Sequence, residues 1–412
     1  MNHDLRMQRP IDIVVFGATG FTGRLVAEHM LARHGVGRDV VWALAGRSLQ
    51  RLQALREELG APEALPLLVC SADDAGALAA LATQARCVLS TVGPYQLHGE
   101  GLLAACVAAG TDYLDLCGEP AWMATMIQRH EAAAQVSGAR IVFSCGFDSV
   151  PFDLGVLCLQ TESHRRWGVP LRDVHGLVRV MKGGFSGGTA ASLMATLDAM
   201  GKDPQQAASM ADPFALTPGF RGPPQPDPAS ATFDALAQAW TAPFVMAAIN
   251  TKNVHRSNAL RGHAYGRDFV YSERVLAGAG IAGRRRARRA AATARVQNAL
   301  LGFAPTRALL RRFALPQPGQ GPGPHEREHG RFELVFVGAG PRGQLLRVVV
   351  RGDRDPGYGS TSKMVSESAL CLLRDIDRST TGGGVWTPAA AMGTALIQRL
   401  QAHAGLSFEI EG

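Results

Sequence analysis

Three glycines stand at intervals of three residues in the segment IDIVVFGATGFTG, residues 11–23. Gly17 allows a sharp turn of the backbone, and Gly20 has no Cβ, so a ligand can approach the main chain there. Gly23 allows the residues after the turn to pack closely on those before it. Free backbone N–H groups in such a turn bind phosphate oxygens. The spacing therefore predicts a phosphate-binding turn, with an ordinary strand-to-helix turn as the alternative.

The elements on either side of this turn have the order that a dinucleotide site requires. Residues 11–16 are an apolar, β-branched run that is typical of a buried parallel strand. Leu25, Val26 and Met30 then follow at helical spacing. Strand, glycine turn and helix together favour a dinucleotide whose pyrophosphate lies at the start of the helix.

A second strand, predicted at Val40–Leu44, ends in Ala-Gly-Arg-Ser. In dinucleotide-binding sheets the residue at this strand end meets the adenosine ribose, and an acidic residue selects the 2′-hydroxyl of NAD. Here the position holds Arg47, whose guanidinium suits a 2′-phosphate, with Ser48 beside it. We therefore predict NADP as the cofactor. The alternatives are a solvated Arg47 and a Ser48 that serves only as the N-cap of the next helix.

Two further strand ends lie on the same predicted edge of the sheet. Asp73 follows the third strand, where the adenine edge lies in a doubly wound sheet, and its alternative role is a helix N-cap. The fourth strand, predicted at Cys87–Val92, ends in Gly93 and Pro94, and this strand end is expected on the nicotinamide side. The predicted cofactor-binding residues are Gly17, Thr19, Gly20, Phe21, Thr22, Gly23, Arg47, Ser48, Asp73, Thr91, Val92, Gly93 and Pro94.

The order of strands and helices along the chain predicts two domains of the α/β class. Six strands alternate with helices within residues 1–150, which is a complete Rossmann-type, doubly wound parallel sheet. The alternation stops after this point, and residues 151–384 are expected to form an α+β domain for substrate and dimerisation, with a mixed or antiparallel sheet. Residues 385–412 contain a last predicted helix, Pro388–Ala402, whose apolar stripe is expected to pack on the first domain.

Composition excludes several classes of protein. The net charge of +7 over 412 residues comes with no zinc-finger or RNA-binding signature, so no nucleic-acid partner is expected. Seven cysteines without a C-x-x-C pair predict free thiols in a reducing compartment, and no metal site is predicted. The start of the chain shows no apolar signal region, and no run of 18 apolar residues occurs. We therefore expect a cytoplasmic protein.

An arginine-dense segment, Gly283–Phe313, is helical in propensity and contains interleaved Leu and Phe. Such a segment suits an anionic membrane surface or an acidic carrier protein. The interpretation that we favour is a solvated helical hairpin between strands of the second domain. Peripheral membrane association therefore stays open.

Several motifs resemble the saccharopine dehydrogenase-like oxidoreductases, and in particular the branch that contains the mycobacterial trans-acting enoyl reductases. They are spread over nearly the whole chain and include GATGFTGRL at 17–25, TVGPYQLHGEGLLAAC at 91–106, GFDSVPFDLG at 146–155, FVMAAINTKNVHRSNAL at 244–260 and DPGYGSTSKM at 355–364. The resemblance implies a Rossmann domain, an α+β domain inserted after it and a C-terminal helix that returns to the first domain. It also implies NADPH-dependent reduction, in the best-described branch of a carbon–carbon double bond on a lipid-like polyketide acyl chain. A homodimer is expected.

Such a reduction needs a proton donor as well as a hydride. The short-chain reductase pair Y-x-x-x-K is absent, because no Lys stands four residues after any of the 5 tyrosines. Tyr95, directly after the fourth strand, is the first candidate, with packing as its alternative role. Asp148 at the domain junction is the second, with a structural role in its turn as its alternative; His98 and Glu119 are weaker candidates.

Two other functions fit parts of the sequence. A saccharopine-type amino-acid reductase would act on a polar dicarboxylic substrate, and the apolar, lysine-poor second domain argues against it. An NADP-sensing regulator would bind the dinucleotide without turnover, but a sensor needs only the first domain. The glycine-rich loop at residues 187–189 precedes a helix, so it suits either a substrate anion or a tight packing turn.

Overall fold

The computed structural model describes residues 8–37, 39–184, 187–303, 305–307 and 320–411. Its described strands form two sheets of seven strands each. The first sheet has the order β13-β6-β5-β4-β1-β2-β3, and every neighbouring pair in it is parallel. Its strands are β1 Ile11–Phe16, β2 Trp42–Gly46, β3 Leu67–Val69, β4 Ala85–Ser90, β5 Asp112–Asp115, β6 Arg140–Val142 and β13 Gly384–Trp386.

The predicted Rossmann-type sheet is therefore confirmed, with one added strand. Because β1 lies between β2 and β4, the strand order reverses at this point, and ligands of doubly wound sheets bind in the crevice at the carboxyl ends there. The helices that connect this sheet are α1 Phe21–His34, α2 Leu49–Glu58, α3 Ala75–Gln84, α4 Tyr95–His98, α5 Glu100–Ala109 and α6 Pro120–Ser137.

The second sheet is mixed, as expected, with the order β14-β12-β11-β7-β10-β9-β8. Its pairs are antiparallel except for β7 and β10, which are parallel. Its strands are β7 Asp173–Lys182, β8 Thr232–Asp234, β9 Ala239–Pro243, β10 Val270–Gly278, β11 Arg331–Ala339, β12 Leu345–Gly352 and β14 Leu406–Glu411. The remaining helices are α7 Val150–Trp167, α8 Gly187–Lys202, α9 Pro204–Ala211, α10 Ala247–Leu260, α11 Gly280–Gly302, α12 Pro324–His329, α13 Thr361–Arg374 and α14 Pro388–His403.

Helix α7 connects the two sheets, although no helix is predicted there from the sequence. Phe332, Leu334 and Phe336 on one face of β11 are all buried, and α7 packs against this face. A Cβ at Gly155 of α7 would lie 2.2 Å from the Phe336 ring, so the contact requires glycine. Parts of both sheets consequently share one hydrophobic core.

The C-terminal residues contribute to both sheets. Strand β13 extends the first sheet beside β6, and β14 pairs with β12 at the edge of the second. Helix α13 packs on α1 and on the first sheet, whereas α14 packs mainly on α13 and α7. The last turn of α14 reaches the first domain, where Arg33 donates to the carbonyl of Ala402 over 3.2 Å. The domain limits at residues 150 and 384 stay predictions.

The arginine-dense segment is a single helix, α11, over most of its length. Gly283, Ala287 and Ala291 are its buried residues and lie four residues apart, so they form the stripe by which it packs on β9 and β10. The hairpin expected for Gly283–Phe313 is therefore not formed within residues 280–302, and residues 308–313 lie outside the described part. None of the described helices has the length and hydropathy needed to span a membrane.

Candidate functional site

The glycine turn at residues 17–23 has the geometry that its spacing predicts. Gly17 has a φ of +86°, which favours glycine, and a Cβ there would lie 2.5 Å from Cγ2 of Val92. A Cβ at Gly23 would lie 2.2 Å from the carbonyl oxygen of Gly17, so α1 packs on the backbone of the turn itself. The turn is thus held between the carboxyl ends of β1 and β4.

The start of α1 is well suited to a dinucleotide pyrophosphate. Gly20 is its N-cap, so no side chain caps the first N–H groups, and the first turn contains no acidic residue. A Cβ at Gly20 would meet only the carbonyl oxygen of Gly17, at 3.2 Å, and Gly20 is exposed. Thr19, Phe21 and Thr22 around it are partly exposed. Uncapped N–H groups at a helix N-terminus bind anionic phosphate, and these residues fit that group.

The end of β2 presents a free cation, as the NADP prediction requires. Arg47 is exposed and has no hydrogen-bond or ion-pair partner among the described residues. Ser48 caps α2 as expected, because its hydroxyl accepts from the N–H of Arg51 over 3.4 Å. Arg47 is therefore available for a 2′-phosphate at this strand end.

The N-cap of α3 is Asp74, not Asp73. The Asp74 carboxylate accepts from the N–H of Ala77 over 2.9 Å. Asp73 is exposed, and its backbone N–H donates to the Ser71 hydroxyl over 3.4 Å. The capping alternative for Asp73 was therefore wrong, and its carboxylate stays a candidate for contact with the adenosine.

The end of β4 is tied directly to the glycine turn. The Thr91 hydroxyl donates to the carbonyls of Phe16 and Gly17, at 3.1 Å and 3.2 Å. Val92 and Pro94 follow, both partly exposed, and Gly93 is exposed. A Cβ on Gly93 would lie 3.4 Å from the hydroxyl of Ser192, so α8 of the second domain lies against this loop.

Tyr358 of the second domain also lies over the glycine turn, and no role is predicted for this residue from the sequence. The Phe21 ring meets the Tyr358 ring edge to face, with centroids 5.1 Å apart. The Tyr358 hydroxyl lies 2.7 Å from that of Thr189, so residues 187–189, which form the start of α8, contact Tyr358 within the second domain. The sequence signal for this contact is the motif DPGYGSTSKM, which was noted only for its resemblance.

Tyr95 is buried, and its hydroxyl is already hydrogen-bonded twice. It donates to the carbonyl of Ser90 and accepts from the N–H of Leu116, each over 3.1 Å. Burial raises the pKa of Tyr95 well above its ordinary value. The Glu119 carboxylate accepts the N–H groups of Tyr95 and Gln96 at 3.0 Å and 2.9 Å, so it fixes the start of α4. His98 is exposed.

Asp148 lies in the loop after β6, at the same edge of the sheet as the glycine turn. Its side chain is partly exposed and makes no hydrogen bond within the described residues. Burial raises the pKa of its carboxyl to about 7. The turn is held instead by the Thr361 hydroxyl, which accepts the N–H of Phe147 over 3.0 Å. The structural role weighed for Asp148 is therefore not observed.

A chain of buried polar groups leads from this loop into the second domain. The Ser149 hydroxyl donates to Asn250 over 3.0 Å, and Asn250 donates to Glu273 over 2.8 Å. Tyr271 donates to the other oxygen of Glu273 over 2.9 Å. The pKa of Glu273 is raised to about 8, first by burial and further by the charges of Asp148 and of a third acid, Asp153.

Comparison with known proteins identifies the chain's relatives. Residues 13–142 match the model of the saccharopine dehydrogenase NADP-binding domain. A Mycobacterium tuberculosis protein named "Putative trans-acting enoyl reductase" is 43% identical over 417 residues, which cover 97% of each chain. The trans-acting enoyl reductase of Mycobacterium ulcerans is 38% identical over 414 residues, covering 95% of this chain and 96% of its own.

A solved structure supports the same fold. The saccharopine dehydrogenase of Saccharomyces cerevisiae superposes with a TM-score of 0.55 over 98% of this chain and 100% of its own, at 13% identity. The dinucleotide turn, the exposed Arg47 and the matched NADP-binding model agree on the cofactor. The chain belongs to the saccharopine dehydrogenase-like oxidoreductases, in the branch of the trans-acting enoyl reductases, and it is an NADP-dependent oxidoreductase.

Proposed function

We propose that this oxidoreductase uses NADPH to reduce the carbon–carbon double bond of an enoyl group on a lipid-like acyl chain. The observation that carries this proposal is the similarity to trans-acting enoyl reductases, which spans 97% of the chain and so includes the second domain. Bound NADPH supplies the hydride for the β-carbon. The protein must then bind and orient the acyl group, exclude water and deliver a proton to the α-carbon.

Asp148 is the residue best suited to deliver that proton. It lies at the carboxyl edge of the first sheet, on the side of the glycine turn, and part of its surface is accessible. Because burial raises its pKa to about 7, much of it is protonated at neutral pH, as a general acid must be. It also makes no hydrogen bond within the described residues that would have to break first.

Tyr95 is the second candidate, and its contacts favour a supporting role. Its hydroxyl proton already lies in a hydrogen bond to the Ser90 carbonyl. Its ring packs on Trp122, with centroids 5.8 Å apart. Donation from Tyr95 would therefore require that bond to break at each turnover, whereas its packing shapes the nicotinamide side of the cleft.

The alternative, a saccharopine-type amino-acid reductase, is less well supported by the charges at the domain junction. Asp148, Asp153 and Glu273 interact electrostatically there, and burial raises the pKa of each. A dicarboxylic substrate would meet carboxyl groups there instead of cations, so these three groups would not compensate the desolvation of its charge. A neutral thioester or acyl chain carries no such charge. The non-catalytic sensor gains no support from this arrangement of acids.

We also propose that the acyl chain arrives on an acidic carrier protein that docks on α11. Arg285 and Arg289 point away from the buried stripe of this helix and have no partner among the described residues. Val296 and Leu300 continue the same outward stripe and are 59% and 45% exposed. An acidic protein surface with apolar positions complements this pattern. An anionic membrane is the alternative partner for this surface. We further propose that the protein forms a homodimer.

The test is NADPH oxidation by the full chain with a 2-enoyl thioester, followed at the cofactor absorbance, with the saturated thioester identified as product. Asp148→Asn should lower kcat by roughly 10²–10⁴, the usual contribution of a general acid. Tyr95→Phe should change kcat much less. Asp39→Asn, at an exposed loop position, is the matched control and should behave as the wild type.

NADPH binding should be measured in parallel, because it separates the possible outcomes. Tight binding with turnover of saccharopine but of no enoyl substrate would overturn the enoyl proposal and leave the oxidoreductase assignment intact. Turnover that Tyr95→Phe abolishes and Asp148→Asn preserves would move the proton donor to Tyr95.

A further inference from the structure

Three potential metal ligands converge where the first domain meets α13, far from the glycine turn. Nε2 of His29 and Nε2 of His34 each lie 2.9 Å from the same oxygen, Oε1 of Glu367. All three atoms lie within 4.8 Å of one another. Two imidazole nitrogens and a carboxylate oxygen are a donor set that Zn²⁺ and related transition-metal ions prefer.

We propose that His29, His34 and Glu367 bind one transition-metal ion of the Zn²⁺ class. Tetrahedral ligands at about 2.0–2.1 Å from zinc lie roughly 3.3 Å from one another. Small adjustments of the two rings therefore suffice to exchange the imidazole N–H groups for an ion. A solvent molecule would complete the four positions.

The burial of the three ligands suits such an ion. Glu367 is fully buried, whereas the His29 and His34 side chains are 12% and 11% exposed. The carboxylate oxygen thus lies at the base of the site, and the two imidazoles lie near the surface, which gives an ion a way in. An ion that can be removed and replaced needs such a combination of a buried ligand with ligands that solvent can reach.

The second oxygen of Glu367 already has its own partner. Arg399 donates to Oε2 over 3.1 Å, and Asp375 holds the same guanidinium at 2.7 Å. Outer contacts of this kind orient a ligating carboxylate. The charges of Arg399 and Asp375 oppose each other, so the guanidinium does not leave the site strongly positive.

The position of the cluster indicates a structural role for the ion. Both histidines belong to α1, the helix whose N-terminus forms part of the dinucleotide turn, and Glu367 belongs to α13. His29 lies nine residues beyond Gly20, or about 13 Å along the helix at 1.5 Å per residue. The ion would therefore fasten α1 to α13 without taking part in hydride transfer.

The test uses the full chain, first treated with a chelator and then titrated with Co²⁺ and with Zn²⁺. We expect one equivalent of Co²⁺ to bind with the visible absorption of a tetrahedral site, Zn²⁺ to displace it, and each metal to raise the melting temperature. His29→Gln and His34→Gln should each weaken binding by more than the roughly 10–100-fold that loss of an outer contact costs. Glutamine can still donate to Glu367, so both variants should fold.

His98→Gln, at an exposed histidine elsewhere, is the matched control and should bind as the wild type does. No saturable binding at micromolar metal would overturn the proposal. So would tight binding that survives His29→Gln together with His34→Gln, because the ion would then be held elsewhere. Melting temperature and absorption report on the site whatever the substrate proves to be.

Discussion

At the scale of single residues, cofactor choice depends on one guanidinium. Arg47 stands exposed and unpaired, within the described residues, where an acidic side chain would select NAD. Arg47→Glu should weaken NADPH binding by on the order of 1.5–3 kcal/mol, roughly tenfold or more, because a charge-assisted contact to phosphate is lost. NADH binding should change little or improve.

Titration of both cofactors against both proteins measures this effect. Arg342→Glu reverses an exposed charge on the second domain and serves as the control. If the Arg47 variant bound NADPH as tightly as the wild type, Arg47 would not contact the 2′-phosphate.

The second residue-scale prediction concerns the pH dependence of turnover. Asp148 can donate a proton only in its protonated form, and its pKa is raised to about 7. We therefore expect kcat to be level on the acidic side and to fall as pH rises through about 7. Asp148→Asn should leave a slow rate without this decline. A kcat that instead rises between pH 6 and 8 in the wild type would exclude Asp148 as the general acid.

At the same scale, local patterns predicted some residues well and others not at all. The glycine turn and the Ser48 cap follow from chemistry within a few positions, and the structure has both. The cap at α3 shifted from Asp73 to Asp74, because either carboxylate satisfies the same pattern. Glu367 meets His29 across 338 positions, and no local pattern reports such a contact.

At the scale of elements, α11 presents Arg285 and Arg289 on the side opposite its buried stripe. Docking through exposed charges weakens as salt shortens the Debye length, about 8 Å at physiological ionic strength. For a carrier-bound substrate, Arg285→Gln with Arg289→Gln should raise KM severalfold at low salt with little change in kcat. The same substitutions should leave KM for a free thioester unchanged.

Arg221→Gln with Arg342→Gln removes two exposed charges elsewhere and is the matched control. An equal rise in KM for both pairs would show a general charge effect and no docking site. If the protein bound anionic vesicles through α11 but bound no carrier protein, the proposed partner would be a membrane surface instead of a carrier.

Several elements were missed by the sequence pattern, among them β13, α7 and β14. β13 has only three residues, which is too short for an alternating pattern to be recognised. α7 is buried along most of its length, and its buried residues include Asp153, Gln160 and Glu162, so apolar and polar positions do not divide into an inner and an outer face. Segments such as β11 were predicted correctly from the sequence, because one buried face sets their periodicity.

At the scale of the whole molecule, α14 links the two sheets. It packs on α13, which lies against the first sheet, and on α7, which lies against the second. Leu396 of this helix is fully buried. Leu396→Ala should lower the free energy of unfolding by about 2–5 kcal/mol, the usual cost of such a cavity. Leu97→Ala, at a side chain that is 64% exposed, should stay within about 0.5 kcal/mol of the wild type.

Denaturant unfolding followed by both fluorescence and circular dichroism measures these values. Coincident transitions are expected, since the two sheets share one core. Two separated transitions, with only the later one moved by Leu396→Ala, would show that the halves unfold independently.

The late position of β13 has a consequence for synthesis on the ribosome. The edge of β6 is finished once residue 142 emerges, but its partner strand ends at residue 386. At translation rates of about 5–20 residues per second, the nascent first domain exposes an unpaired strand edge for roughly 12–50 s. Such an edge can pair with a neighbouring nascent chain. We therefore expect chaperones to bind most often to ribosomes that have translated past residue 142 of this protein and have not yet reached residue 386.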